Sequence, residues 1–213
     1  MTVIAVINQK GGCGKSTTSV HLAYWLSKKG KTTFVVDADA QQSSSVWLNS
    51  MESQIPFEVV QSPDNLLEKL PELDQDYEYL IVDGPASLSE VTRAVLFRSD
   101  LALVPCQPTG LDLRSASDSV RLIKQAQSVR NGPPKAAIFL SRAVKGTKLK
   151  DEAISLLTKI PETKLLSTVI HQKQVIADTS GQLTTVWNTP GRSATESARE
   201  FDKLFQEVFN LLT

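Results

Sequence analysis

Val3-Ile4-Ala5-Val6-Ile7-Asn8-Gln9-Lys10-Gly11-Gly12-Cys13-Gly14-Lys15-Ser16-Thr17 starts with five apolar residues, breaks at a run of small ones and leads directly into a segment of helical spacing. A short apolar run of Val, Ile and Ala is what a strand buried on both faces looks like. Small residues after it let backbone N–H groups converge on phosphate oxygens, and the following helix adds the positive end of its dipole. In such a loop Lys15 reaches the β and γ phosphates and the Ser16 hydroxyl joins a Mg²⁺ shell. The usual phosphate-loop pattern has Gly five positions before Gly14, where this chain has Gln9. The match is therefore to a variant, Lys-Gly-Gly-x-Gly-Lys-Ser, whose added feature is Lys10.

Outward from this loop, strand-like and helix-like segments alternate. Apolar runs at Val3–Ile7, Thr33–Val36, Phe57–Val60, Tyr79–Val82, Leu101–Val104, Ala136–Leu140 and Leu165–Ile170 read as strands. Helical spacing covers Thr17–Lys29, Ser43–Met51, Asn65–Leu70, Ser89–Arg98, Leu113–Val129, Leu149–Ile160 and Ser193–Leu212. Val20, Leu22, Ala23 and Leu26 form the apolar side of the first, which Gly30 stops. Alternation with short connections predicts an α/β fold, a mostly parallel twisted sheet flanked by helices. No repeat or long linker divides the chain, so one domain over 1–213 is expected. The acidic stretch Asp64–Glu78 reads as a solvated helix and loop.

Two further motifs fall at strand ends, the ligand side of a parallel sheet. Val35-Val36-Asp37-Ala38-Asp39-Ala40-Gln41 carries two carboxylates: one to organise metal and loop, the other to orient an attacking water. Such a pair often only caps a helix, and the phosphate loop upstream is what lifts it above that. Tyr79-Leu80-Ile81-Val82-Asp83-Gly84-Pro85 is a Walker B arrangement, in which Asp83 holds Mg²⁺ and Gly84 frees the next loop to move.

Composition removes several classes. Lys plus Arg and Asp plus Glu are both 23, a formal net charge of zero, so overall electrostatics would hold no monomer on DNA or an acidic membrane. Any such binding must come from a local patch. Cys13 and Cys106 are the two cysteines and have no CxxC spacing, which fits a reducing cytosol without a structural disulfide. The apolar start lacks a basic leader, and stretches such as Leu101–Pro105 fall far short of the ~20 residues of a membrane span. Neither His21 nor His171 has a partner at metal-ligand spacing. Cys13 reads as a small filler at the loop's variable position, Cys106 as a small hydrophobe, and Trp47 as helix packing.

The set resembles the ParA/MinD superfamily of deviant Walker ATPases, most closely the small plasmid-partition ParA branch. The likeness runs through the Lys10 loop, Asp37-Ala38-Asp39-Ala40-Gln41 with Trp47 beyond, Val82-Asp83-Gly84-Pro85, and Val104-Pro105-Cys106-Gln107-Pro108 followed by Leu111-Asp112-Leu113. It implies a P-loop fold binding Mg²⁺–ATP through Lys10, Gly11, Gly12, Cys13, Gly14, Lys15, Ser16 and Thr17. Lys10 would cross a sandwich homodimer to the partner's phosphates, Asp39 would be the catalytic aspartate beside Lys15, and Ser16, Asp37, Asp39 and Asp83 would surround the metal. Pro105 and Pro108 would approach nucleotide at the dimer interface, and Ile170, His171 and Gln172 would line the adenine. Ala40 stands where the family commonly has Pro, which loosens that loop.

Resemblance further implies a slow, adaptor-stimulated cytoplasmic ATPase on nonspecific nucleoid DNA that positions a plasmid, a chromosome or a protein body such as a carboxysome. Arg142, Lys145, Lys148 and Lys150 are candidate DNA contacts or ordinary solvated charges; Lys164, Lys173, Arg192 and Arg199 are further ones. The chain starts on the first strand, so no N-terminal helix-turn-helix domain is expected. A MinD-like membrane role would need a basic polar side on the C-terminal helix, and Glu200, Asp202, Lys203 and Glu207 make it net negative, so packing on the sheet is expected instead. A metal-cluster reductase or assembly role would need cluster thiolates that two unspaced cysteines do not supply.

Overall fold

The computed structural model describes residues 1–51, 54–73 and 76–212. Asp74, one of the acids in the stretch 64–78, lies outside them. Strands β1 (Thr2–Val6), β2 (Thr33–Asp37), β3 (Phe57–Val59), β4 (Tyr79–Asp83), β5 (Leu101–Cys106), β6 (Lys135–Ala143) and β7 (Lys164–His171) form one sheet in the order β3-β2-β4-β1-β5-β6-β7. Every neighbouring pair is parallel. The helices are α1 (Lys15–Lys28), α2 (Ser43–Ser50), α3 (Pro63–Leu73), α4 (Glu90–Arg98), α5 (Gly110–Arg130), α6 (Lys148–Leu157), α7 (Gln174–Gly181) and α8 (Arg192–Leu212).

Alternation along each strand splits the core into two layers. Val3, Ala5 and Ile7 face α3, α4, α5 and α6, while Ile4 and Val6 face α1, α2 and α8. The inner strands β2 and β5 are buried along their whole length, whereas β3 and β7 are partly exposed, as edge positions require. On α8, Phe201, Leu204, Phe205 and Val208 are buried, each contributing about 1.5–3 kcal/mol. Its apolar side is thus committed to the core. Among the described residues no helix is long and apolar enough to cross a membrane.

Termination signals work as the residue types dictate. Gly30 (φ 74) follows α1, and the Lys31 N–H returns to the Leu26 carbonyl at 3.1 Å, closing the helix with a left-handed residue. Two of the departures from expectation bear on the site. β6 runs to Ala143 instead of stopping near Leu140, and α7 forms directly after β7. Both additions build the cleft described next.

Candidate functional site

Strand register sets the site. Val6, Asp37 and Asp83 lie level at the C-terminal ends of three adjacent strands, because Asp83 pairs with both Val6 and Asp37. The loop from Ile7 to Gly14 leaves from this edge. Its base is Asn8, which is buried: Nδ2 donates to the Pro105 carbonyl at 2.8 Å, and Oδ1 accepts the Lys10 N–H at 3.1 Å and the Ser115 hydroxyl. Gly12 (φ 75) and Gly14 (φ 100) take left-handed conformations that strain side-chain-bearing residues. A Cβ on Gly14 would also lie 2.9 Å from Ser141 Oγ.

Above the loop opens a cleft of about 490 Å³, within the range of small-molecule sites. Gly11, Gly12, Gly14, Lys15, Ser16, Thr17, Asp39, Ile170, His171 and Gln172 all line it, so the sequence candidates from three distant segments do converge. Trp47, Phe139, Ile176 and Phe201 supply an apolar portion. Lys15 Nζ donates to the Lys10 carbonyl at 3.2 Å, curling over the loop. His171 is held by Glu200 of α8, which accepts its backbone N–H and contacts its Nδ1, both at 3.0 Å, and also accepts from Lys173 Nζ at 3.0 Å.

The two buried carboxylates differ. Asp37 Oδ2 accepts the Ser45 N–H at 2.8 Å and Oδ1 the Asp39 N–H at 3.1 Å, so Asp37 fastens α2 and its leading loop. Asp83 Oδ1 accepts from Ser19 Oγ at 3.2 Å, but among the described residues Oδ2 is buried without a hydrogen-bond partner, as is Ser44 Oγ. Burial pushes Asp83 up to about 7; the Ser16 hydroxyl draws it back and Asp37 adds to the rise. A hard cation would relieve both the orphaned oxygen and the like-charge pair, and carboxylate with hydroxyl oxygens suits Mg²⁺. The residues present fit that ion.

Other candidates sit elsewhere. Cys13 is buried behind the loop, its Sγ donating to the Lys10 carbonyl at 3.3 Å, and burial raises its thiol above the usual range. Pro105 and Pro108 are buried outside the cleft lining; Pro105 acts on the loop through Asn8. Lys10 also lies outside the lining of its own cleft. Its ammonium is 2.6 Å from Asp112 of α5, whose side chain is 0% exposed against 36% for Lys10. Gly84 is also set by contact: a Cβ there would meet Ile7 Cγ2 at 2.8 Å and the Val6 carbonyl at 3.1 Å. Arg142, at the end of β6, leaves the basic group that continues through Lys145 into α6 and turns into the cleft. Gln107 and Asp112 lie within the stretch that the resemblance already brings toward the nucleotide, whereas no local motif marks Arg142, Lys173 or Glu200 as part of a nucleotide site.

Known proteins share the sequence pattern and the fold. Maintenance of carboxysome distribution protein A (McdA) of Halothiobacillus neapolitanus is 27% identical over 219 residues, 96% of this chain and 95% of its own length. Protein ParA of Rhizobium radiobacter is 30% identical over 131 residues, 60% of this chain and 58% of its own. The solved ATP complex of an McdA variant from Cyanothece has the same fold, with TM-score 0.82, 99% of this chain and 96% of that one covered, and 14% identity. A family model described as the CobQ/CobB/MinD/ParA nucleotide binding domain matches residues 4–185. The loop, the paired strand-end aspartates and this match over most of the chain together make it a member of the CobQ/CobB/MinD/ParA nucleotide-binding family.

Proposed function

We propose that the chain is a Mg²⁺-dependent ATP hydrolase of ParA type: ATP pairs two copies face to face, the pair holds nucleoid DNA without sequence preference, and an adaptor on a cargo accelerates hydrolysis and release. The observation that carries this is the placement of Lys10. A lysine in the phosphate loop that points out of its own cleft, clamped by Asp112 beside a 75%-exposed Leu111, is suited to act on a facing subunit. A cation supplied to developing phosphoryl charge from outside is worth ~10³–10⁵ in rate.

Within one subunit, Lys15 and the amides of Gly14, Lys15 and Ser16 neutralise and orient the phosphates. Ser16 and Asp83 would hold the Mg²⁺, with Asp37 fixing the adjoining loop; when bound, the ion offsets charge on the β and γ phosphates. Asp39 lines the cleft and its carboxylate accepts the Gln41 N–H at 3.0 Å, leaving acceptor capacity to orient a water. Ile170, His171 and Gln172, stiffened by Glu200, form the wall assigned to the base.

Cargo admits a second reading. One relative aligned along nearly the whole chain serves carboxysome distribution and another, aligned as fully, is a chromosome-partitioning ATPase, so a protein body stands as a second cargo reading beside a plasmid or chromosome, with the same ATPase cycle. The test is phosphate release by the purified chain with Mg²⁺–ATP. Asp39→Ala should retain ATP and lose roughly 10²-fold or more in turnover, since it removes water orientation and spares the phosphate cradle. Parent-like turnover in that variant would withdraw the role of Asp39.

A further inference from the structure

β6 carries one residue more than its partner at the mouth of the cleft. Leu140 pairs with Val169 and Ala143 with His171, three steps on β6 against two on β7. The extra residue is a bulge at Ser141–Arg142, the kind of irregularity that re-aims a side chain. In a regular strand these neighbours would point to opposite faces, yet both line the cleft. Arg142 sits at φ 53, in the left-handed region that a residue with a Cβ avoids unless its surroundings hold it there.

What the strained arginine touches is the phosphate loop. Arg142 Nη1 donates to the Gly12 carbonyl at 2.7 Å, across 130 residues of sequence. The same oxygen accepts Gln107 Nε2, from the end of β5, at 2.9 Å. Both acceptor positions of one carbonyl are thus filled, by side chains from β6 and from the residue just after β5. The trans peptide is planar, so fixing the Gly12 oxygen also fixes the opposed direction of the Cys13 N–H. That amide belongs to the stretch expected to face phosphate.

We infer that Arg142, together with Gln107, is a positioning residue of the nucleotide site: it clamps the Gly12–Cys13 peptide so that the loop is ordered for phosphate before nucleotide arrives. This deepens the proposed function and rests on it. The loop segment concerned meets ATP and ADP alike, so the clamp serves both nucleotides and does not discriminate between them.

Glycine at position 142 separates fold from site, because it suits φ 53 while removing the guanidinium. Calorimetric affinities for Mg²⁺–ATP and Mg²⁺–ADP, with nucleotide-free melting, should be compared for the parent, Arg142→Gly and Arg142→Lys. Arg142→Gly should melt at or above the parent temperature yet bind both nucleotides roughly 10-fold more weakly, the weight of one charge-assisted hydrogen bond. Arg142→Lys keeps one charged donor and should recover most of the loss. Parent-like affinity in Arg142→Gly, or an affinity loss that tracks a lowered melting temperature, overturns the inference and leaves the proposed ATPase standing. A parent that binds neither nucleotide overturns both.

Discussion

His21 and Asp83 show how burial can be tolerated in one side chain and leave a demand in another. Both are fully buried near the phosphate loop. Among the described residues Asp83 keeps one oxygen without a partner, a demand a cation can meet. His21 has none: Nδ1 contacts the Thr17 carbonyl at 2.8 Å, which can only accept, so Nδ1 carries the hydrogen, and Nε2 accepts the Val186 N–H at 3.3 Å. Its ring stacks on Phe201 at 4.6 Å, and burial takes it down to about 4, against a smaller upward pull from the Thr17 carbonyl. Between about pH 4 and 6.5 the unfolded chain therefore binds a proton that the folded chain refuses, so stability rises with pH across that window. At pH 4 the loss from this group approaches roughly 3 kcal/mol. His21→Gln offers a donor and an acceptor without titrating. The parent-minus-variant difference in urea midpoint should widen against the parent as pH falls from 6.5 to 4.5; a constant difference would refute a neutral His21.

At the scale of elements, the end of β4 lies tight against the end of β1. Gly84 donates its N–H to the Val6 carbonyl at 3.0 Å, and the space a methyl needs is taken by Ile7, itself buried. Gly84→Ala must push the two strand ends apart, at a cost of about 1–3 kcal/mol by overpacking. Gly132→Ala, where nothing lies within 4 Å, is the control; equal urea midpoints for the two variants would show that the sheet yields freely. Strands and most helices were legible because their signals are local: β1 and β5 are apolar runs, and the phosphate loop is contiguous chemistry. α7 was missed because eight residues around Val175, Ile176 and Ala177 carry too few apolar positions to show a helical side. The clamp on Gly12 was illegible for another reason. Gln107 and Arg142 reach it only because sheet order places β5 and β6 successively beside β1, and local pattern does not encode which strands become neighbours. Glu200 likewise reaches His171 only through the packing of α8 on β7.

For the whole molecule the governing quantity is charge. With zero net charge, one copy has little long-range attraction for DNA, and any hold must come from local cations brought together in pairs. Arg142 is turned into the cleft, and Lys150 is half-buried with Nζ 3.4 Å from Asp151. Lys145 and Lys148 are exposed and lie outside the cleft lining. The proposed cycle then makes a linked prediction in mass and salt. The chain should sediment as a monomer with ADP and as a dimer with a non-hydrolysable ATP analogue, and Lys10→Ala should weaken the shift without removing nucleotide binding. The dimer should retain random duplex DNA with affinity falling steeply in salt, each phosphate contact contributing a slope of about −0.9. Reversing Lys145 and Lys148 to Glu removes up to four contacts per dimer, which should flatten the slope by about 3 to 4 while the sedimenting mass stays dimeric. A flattened slope with an intact dimer assigns the DNA face to the β6–α6 loop and the start of α6. An unchanged slope moves the face elsewhere on the dimer. A dimer that ignores DNA at low salt but settles on anionic vesicles would remove the nucleoid from the proposed cycle and put a membrane surface in its place.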